Sequence, residues 1–380
     1  MSPMIAGRVA GLKRTLIREI FESAPADALN LGLGQPDIAP PAVLREALSR
    51  AASEGPSGYG PTAGDKALRA AIAGYYAPFA RRAEDVVVTL GCQEATFAVL
   101  GCLLDPGDEV LCPDPGFPGA ERAAKTWNAV PRFYPLRAEN GFHLDVDEVL
   151  GMVGPATKAI LVITPSNPTG TVEPRATIER LAEETARRGI ALVVDDTYHQ
   201  LCWTAEGRAF GAPQAPLEHV VVCGGLSKSV ALTGWRVGWA VCPDAAFMAK
   251  LVAMQQTVLT CPATPIQIGA RVAFTPEGEA AAREVKAIFR RRRDIVAEEL
   301  GGRPEVRMAP LEGAFYAWVD ASRCGGGIPF AKRLLEEEKI VVIPGEAFGA
   351  GGAGWFRISY AQEDNALRRA LKVIAGRLSL

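Results

Sequence analysis

The sequence predicts an α/β protein: a large domain with a mainly parallel, seven-stranded sheet between helices, followed by a smaller α+β domain. Between residues 41 and 285, short β-branched runs alternate with segments in which apolar residues recur at helical spacing. This alternation is typical of βαβ units, whose parallel sheet is covered by helices on both faces. After residue 285 the order changes, and a long helical segment precedes a short mixture of strands and helices.

The large domain is predicted to begin with two helices, PAVLREALSRAAS and DKALRAAIAGYYAPF. Further helical segments then separate most of its strands; they are QEATFAVLGCLL, PGAERAAKTW and RATIERLAEETARRG. Seven segments have the short, β-branched character of buried strands. In chain order they are DVVVTL, DEVLCP, AVPRFYPL, KAILVIT, ALVVDD, HVVVCGGL and VGWAVC.

The smaller domain is predicted to be discontinuous. Its C-terminal part, residues 286–380, contains the helix EVKAIFRRRRDIVAEEL, the strand GAFYAWVD, the helix PFAKRLLEEEK and the strands IVVIPG and FRISYA. Residues 1–40 are too few to fold alone. We therefore expect them to pack with residues 286–380 or with a partner subunit.

The charge balance gives no reason to expect nucleic acid as a partner. The chain has 41 Lys and Arg against 43 Asp and Glu, a formal net charge of -2. The basic run at 290–293 lies in a segment of helical periodicity, so an exposed helix face is expected there. No apolar segment approaches the roughly 20 residues that cross a bilayer.

The polar residue counts also argue against a metal site and against a secreted protein. Three histidines occur without paired-ligand spacing, and eight cysteines occur without a CxxC pair. We expect reduced thiols in a cytoplasmic protein, since the N-terminal segment has no secretory apolar region. Residues 349–354 match GxGxxG, but a strand rather than a helix follows, so a glycine-rich loop is predicted there.

Polar side chains follow four of the predicted strands. In open parallel sheets, ligands bind beyond the carboxyl ends of the strands, so these side chains should converge on one crevice. They are Cys92 and Gln93, preceded by Gly91, after DVVVTL, Asn167 after KAILVIT, Asp195 and Tyr198 after ALVV, and Ser227, Lys228 and Arg236 after HVVVCGGL.

Together these groups match the needs of pyridoxal 5'-phosphate. Its aldehyde requires a lysine amine for a Schiff base. Its ring nitrogen must stay protonated, which an ionised carboxylate enforces. The phenolate oxygen requires donors such as a tyrosine and an asparagine. The phosphate requires helix N–H groups and an arginine.

The chain resembles the class I/II aminotransferases of the aspartate aminotransferase fold, which are pyridoxal-phosphate enzymes of fold type I. The resemblance extends from LGLGQPD near residue 31 to FRISYA near residue 361. The motifs that carry it occur in family order: GYGPTAG, PDPGFP, PSNPTG, DDTY, SK with GWRVGW, and FRISYA.

The resemblance implies roles for the residues that match these motifs. Lys228 would form the Schiff base and shuttle the proton of the 1,3-transfer. Asp195 would pair with the pyridinium nitrogen, and Asn167 and Tyr198 would contact the phenolate oxygen. Phe117 would stack on the ring, where relatives carry Tyr or Trp.

The resemblance also implies a phosphate site, a substrate clamp and a homodimer. Gly91, Cys92, Gln93, Ser227 and Arg236 would hold the phosphate, and Tyr59 would reach the phosphate in the other subunit. Arg357 would clamp the substrate α-carboxylate, and Gly34 would leave room for it. In two departures, Gly225 stands where some relatives have a phosphate-binding Ser, and Asp196 where many have Glu.

The predicted function is an aminotransferase that moves the amino group of an α-amino acid to a 2-oxo acid through the Lys228 Schiff base and a ketimine. A C–S β-lyase on the same fold is the main alternative, and a non-enzymatic pyridoxal-phosphate-binding regulator is a weaker one. The amino donor stays open. Gln93 replaces a lysine of some dicarboxylate-specific relatives, which favours a neutral or aromatic donor, but Lys13, Arg14 or Arg18 could bind a distal carboxylate.

Overall fold

The structure is a computed structural model that describes residues 4–205 and 212–379. Its strands are β1 (Leu29–Asn30), β2 (Val86–Thr89), β3 (Glu109–Asp114), β4 (Val130–Pro135), β5 (Thr157–Ile163), β6 (Ala191–Asp195), β7 (Val220–Gly225), β8 (Gly238–Val241), β9 (Tyr316–Asp320), β10 (Ile340–Val341), β11 (Ile343–Pro344) and β12 (Trp355–Ser359). Its helices are α1 (Gly7–Ala10), α2 (Leu16–Ser23), α3 (Ala42–Glu54), α4 (Lys66–Tyr75), α5 (Cys92–Leu103), α6 (Gly119–Thr126), α7 (Val146–Gly151), α8 (Arg175–Arg188), α9 (Ala245–Leu259), α10 (Thr264–Ala270), α11 (Pro276–Glu299), α12 (Gly327–Glu338) and α13 (Asp364–Leu378).

The central sheet has the predicted mainly parallel character. Over the described ranges it contains seven strands in the order β2-β8-β7-β6-β5-β3-β4. The pairs of β3 with β4 and β5, and of β6 with β5 and β7, are parallel. Strand β8 runs antiparallel to β2 and β7, because the connection from β7 holds only a short 3₁₀ turn and no crossover helix.

Both faces of the sheet are buried under helices. Along β5, Ile160 and Val162 belong to one apolar cluster, whereas Leu161 and Ile163 belong to a second. Because successive side chains of a strand point to opposite faces, the two clusters lie on opposite sides of the sheet. This double burial explains the nearly continuous apolar runs of the sequence.

Several helices begin at residues that cap their first turn. The Asp65 carboxylate accepts a hydrogen bond from Leu68 N at the start of α4, and Asp244 does the same for α9. Thr275 caps α11, and Pro276 follows it at a position where a proline needs no N–H donor. These caps fix where the helices begin relative to the preceding strands.

The C-terminal region forms a second layer with its own apolar cluster. A three-stranded antiparallel sheet has the order β11-β12-β9 within the described residues, and β1 pairs with β10 in parallel. Residues 29–30 therefore pair with the C-terminal region, whereas Ile17 and Ile20 of α2 also pack against an apolar cluster of the central sheet. Helix α11 runs without a break through residue 285, so the domain boundary placed there, and the division into 41–285 and 1–40 with 286–380, stays a prediction.

The expectation for the basic run at 290–293 is wrong in one respect. The run lies on α11, as predicted, but the Arg292 side chain is buried. Its guanidinium pairs with Asp37 at 2.5 Å and Asp364 at 3.2 Å. Helical periodicity identifies which residues share a face, but it cannot show that carboxylates from two distant segments will cover that face.

Two further expectations concerned the cysteines and membrane-spanning helices. All eight cysteines are free. In the part of the chain that the structure describes, no helix is both long enough and apolar enough to span a bilayer.

Candidate active site

The carboxyl ends of β2, β5, β6 and β7 meet at a cavity of about 260 Å³. The structure brings most of the predicted site residues to its wall. These are Gly34, Cys92, Gln93, Phe117, Asn167, Asp195, Tyr198, Ser227, Lys228, Arg236 and Arg357. Gly91 lies directly before Cys92 without lining the cavity, and Tyr59 lies elsewhere on the surface, with 92% of its area exposed.

Lys228 lies in the turn that follows β7, and its amine points into the cavity. Its Nζ donates a hydrogen bond to the backbone oxygen of Gly34 at 2.7 Å. Burial, together with the positive charges of Arg357 and Arg236, lowers the Lys228 pKa from its ordinary value to about 8. The amine is therefore much closer to neutral near physiological pH than a surface lysine, and a neutral amine is the nucleophilic and basic form.

Asp195 ends β6 and presents its carboxylate to the same cavity. Its Oδ1 accepts hydrogen bonds from Thr197 N at 3.0 Å and from Cys92 Sγ at 3.3 Å. Burial raises the pKa of Asp195, while the two donors and the charge of Lys228 act in the opposite direction. These donors offset part of the effect of burial and favour the ionised form, which can pair with a cation placed in the cavity.

Arg357 is a buried arginine without an acidic partner among the residues that the structure describes. It is 2% exposed, and its guanidinium donates hydrogen bonds to Asn167 Oδ1 and to the Gly32 carbonyl oxygen. The rings of Tyr316 and Phe348 flank it at 4.3 and 4.8 Å from the guanidinium carbon. Among the described residues no carboxylate pairs with it, and its buried Nε has no hydrogen-bond partner. A buried charge of this kind requires a counterion, and the cavity beside it can receive one.

The amino end of α5 forms a cradle for an anion. Gly91 precedes the helix with φ 83° and offers no side-chain cap, so the N–H groups of the first turn face outward. Arg236 is fixed next to this turn because its Nη2 donates to Leu90 O at 3.1 Å and its Nη1 to Thr233 O at 2.9 Å. A Cβ on Gly91 would lie 2.6 Å from Arg236 Nη2. The glycine thus permits a helix terminus and a guanidinium to meet at one point, as phosphate binding requires.

Tyr316, which was not among the predicted site residues, lies at the centre of the site. Its hydroxyl is 2.6 Å from the hydroxyl of Tyr198, and its ring covers Arg357. A Cβ on Gly34 would lie 2.2 Å from the Tyr316 hydroxyl, so Gly34 leaves room for this tyrosine. Tyr316 belongs to the segment GAFYAWVD, which was predicted only to be a strand. No motif marked it.

Apolar residues of the cavity wall were also missed. Ile17 of α2 and Leu33 line the cavity together with Leu161 and Ile163 of β5. Ile17 comes from a helix more than 200 positions before Lys228, and only the fold brings the two together. The apolar face of α2 was the one signal that could have suggested burial of Ile17.

The donor set fits pyridoxal phosphate. A helix terminus with an arginine suits the phosphate, a carboxylate held by hydrogen bonds suits the ring nitrogen, and an amine suits the aldehyde. The backbone at Gly225 leaves no room for a side chain, because a Cβ there would lie 2.9 Å from the carbonyl oxygen of Val237. A serine at this position would therefore require the backbone to shift, which accounts physically for this departure from the relatives.

Comparison with known proteins agrees with this geometry. The sequence profile of the family described as aminotransferase class I and II matches residues 26–374. An aspartate aminotransferase from Pyrococcus horikoshii is 34% identical over 97% of this chain and 96% of its own length. An arginine–pyruvate transaminase from Pseudomonas aeruginosa is 35% identical over 92% of this chain and 89% of its own length.

A solved structure shows the same fold. The aspartate aminotransferase from Thermus thermophilus, solved with maleate, superposes with a TM-score of 0.91 at 30% identity and covers 98% of this chain and 99% of its own. The predictions of the fold, of an aminotransferase and of pyridoxal phosphate as cofactor are confirmed, because class I and II aminotransferases depend on that cofactor and act on amino and oxo acids. The chain belongs to the aminotransferase class I and II family.

Proposed function

We propose that Lys228, Asp195 and Arg357 divide the work of moving an amino group from an α-amino acid to a 2-oxo acid. The observation that carries this proposal is the juxtaposition of Arg357, which is buried, and Lys228, which is partly buried. Arg357 lacks a carboxylate partner within the described part of the chain, and it lines the same cavity as Lys228, whose pKa is lowered to about 8. An α-amino acid supplies the missing carboxylate and, beside it, the carbon whose proton a neutral amine can remove.

Bound pyridoxal phosphate would supply the aldehyde that joins to amines and the ring that accepts electrons from the substrate. Of this chain's residues, Arg236 and the amino end of α5 would hold the phosphate, together with Gly91, Cys92, Gln93 and Ser227. Phe117 would cover one face of the ring. Asp195 would keep the proton on the ring nitrogen.

Lys228 would bind the aldehyde at rest and act as the base once a substrate amine has taken its place. It would take the proton from the substrate Cα and deliver it to the carbon of the cofactor aldehyde, which is bonded to the other side of the transferred nitrogen. Its lowered pKa, about 8, suits both steps, because a group that titrates near the working pH can accept a proton and release it again. Positioned proton transfer of this type typically contributes about 10²- to 10⁴-fold to the rate.

Arg357 would orient the substrate through its α-carboxylate. A planar guanidinium can donate two parallel hydrogen bonds to a carboxylate. Asn167 holds the guanidinium from one side, and Tyr316 and Phe348 hold its two faces. The hydroxyl pair of Tyr198 and Tyr316 lies next to this clamp, where Tyr198 and Asn167 could donate to the phenolate oxygen.

The cavity wall favours a donor with an uncharged, largely apolar side chain. The cations that line it are Lys228, Arg236 and Arg357, and each already has a proposed role toward the cofactor or the α-carboxylate. The remaining wall near α2 is formed by Ile17 and Leu33. The N-terminal candidates for a distal-carboxylate site are engaged elsewhere: Arg14 and Arg18 both pair with Glu22 on the surface. Lys13 does not line the cavity, and its backbone oxygen accepts a hydrogen bond from Arg122.

The active form is proposed to be a homodimer in the cytoplasm. Tyr59 is 92% exposed, which is unusual for a large aromatic side chain and fits a residue that a second subunit covers. In this proposal its hydroxyl reaches the phosphate site of the partner subunit. The cytoplasmic location rests on the cysteine usage of the sequence.

A half-reaction assay tests the proposed function. The protein, loaded with pyridoxal phosphate, is mixed with single amino acids, and pyridoxamine phosphate and the oxo acid are quantified. Leucine, methionine and phenylalanine should convert the cofactor faster than aspartate does, and Lys228→Ala should show no conversion with any donor. Turnover by Lys228→Ala, or release of pyruvate and ammonia as the main products from a cysteine S-conjugate in the same assay, would contradict the proposal.

A further inference from the structure

We propose that Cys92 is a positioning residue for Asp195: its thiol occupies one carboxylate oxygen and leaves the other for the cofactor nitrogen. This inference rests on the proposed role of Asp195 and extends it to a residue that the sequence placed only at the phosphate.

The contacts of the Asp195 carboxylate are asymmetric. Its Oδ1 accepts from both Cys92 Sγ at 3.3 Å and Thr197 N at 3.0 Å. Within residues 4–205 and 212–379, no hydrogen bond to Oδ2 is formed. Two donors on one oxygen fix the rotation of the carboxylate, so Oδ2 is the oxygen that can pair with a ligand in the cavity.

Cys92 is well placed to couple the two ends of the site. It is the first residue of α5, so its backbone belongs to the anion cradle while its side chain reaches Asp195. A single residue thus fixes the spacing between the phosphate cradle and the carboxylate. The phosphate cradle and the contact with Asp195 therefore both depend on the same short turn at the end of β2.

The chemistry of a thiol suits this task. Burial and the neighbouring Asp195 raise the Cys92 pKa well above its ordinary value, so the sulfur keeps its proton and acts as a donor. A thiol is a weak donor compared with a hydroxyl. Even a weak donor restrains the rotation of the carboxylate, and the carboxylate keeps the negative charge that the ring nitrogen requires.

Space filling is the competing explanation, since Cys92 also packs against an apolar cluster. Two substitutions separate the explanations. Cys92→Ala and Cys92→Ser both remove the large sulfur atom, but only serine retains a donor. Cys102 is a partly buried thiol further along α5. Cys102→Ala is therefore the matched control for loss of a thiol from this helix.

The test measures cofactor binding rather than turnover alone. Apoenzyme is titrated with pyridoxal phosphate, and the visible absorption of the complex is followed from pH 5 to 10. We expect Cys92→Ala to raise the dissociation constant about three- to tenfold, as the loss of one weak hydrogen bond implies, and to shift the pH profile. Cys92→Ser should stay within about twofold of the wild type, and Cys102→Ala should be unchanged.

A cycle with Asp195→Asn checks that the thiol acts through the carboxylate. In that background, Cys92→Ala should change cofactor binding by less than about twofold. Wild-type affinity and pH profile in Cys92→Ala, or equal losses in the alanine and serine variants, would overturn the inference. If the wild-type protein itself failed to bind pyridoxal phosphate, the proposed function would fall instead, so the two failures are distinguishable.

Discussion

Replacing Arg357 with lysine tests the proposed carboxylate clamp, because the substitution keeps the charge and removes the planar fork. The Arg357 guanidinium is held by Asn167 and Gly32 and lies between the rings of Tyr316 and Phe348. A lysine ammonium can reach only part of this set and cannot form two parallel hydrogen bonds to one carboxylate.

The expected loss follows from the contacts that disappear. One charge-assisted hydrogen bond contributes about 1.5–3 kcal/mol, which corresponds to a factor of about 10 to 150 in rate. The weaker stacking of an ammonium on the two rings adds to this loss. We therefore expect Arg357→Lys to lower kcat/KM for amino acids about 100-fold.

The assay is a single-turnover half-reaction with the amino donor alone, so the measured rate does not depend on binding of the acceptor's carboxylate. Each donor amino acid is compared with a primary amine that has the same side chain and lacks the α-carboxylate. The substitution should slow the amino acid about 100-fold and the amine less than about threefold. Arg290→Lys, on the exposed face of α11, is the control and should leave both rates unchanged. Equal losses for the amino acid and the amine would refute the clamp.

Three further substitutions test other parts of the site. Lys228→Met should raise the unfolding free energy of the apoenzyme at pH 7 by about 3 kcal/mol in urea titrations, because the wild-type ammonium is destabilised by burial below its folded pKa of about 8. This gain in unfolding free energy should shrink between pH 8 and 10.5, where the unfolded chain retains the proton that the folded chain has lost. A gain that does not change with pH would contradict this account. Ile17→Arg should raise kcat/KM for aspartate relative to leucine at least about tenfold, since it adds a cation to the apolar wall, and an unchanged ratio would show that the donor side chain does not approach α2. Tyr59→Phe should weaken cofactor binding about tenfold with no change in molar mass by light scattering, whereas wild-type affinity, or a monomeric wild-type protein, would rule out its reach into a partner subunit.

The polar ends of the strands were predictable because two rules combine. Buried parallel strands have a recognisable apolar pattern, and their carboxyl ends lie at one edge of the sheet. Asn167, Asp195 and Lys228 each lie at the end of such a strand or shortly after it, so their convergence in one cavity could be inferred without coordinates.

Residues from other segments could not be found in this way. Tyr316 and Ile17 reach the cavity from the C-terminal region and from α2, and nothing in their local pattern distinguishes them from packing residues. Arg292 shows the same limit, because its burial depends on Asp37, which is 255 positions away in the chain. The hydrogen bond of Cys92 to Asp195 depends on side-chain rotation, which the sequence does not determine.

The identity of the reactive amine is the central claim, and chemical trapping tests it most directly. The protein loaded with pyridoxal phosphate is treated with sodium borohydride, digested and analysed by mass spectrometry. The phosphopyridoxyl group should be found on the peptide containing Lys228, and Lys228→Arg should carry none. Labelling of another lysine, or equal labelling of Lys228→Arg, would contradict the account.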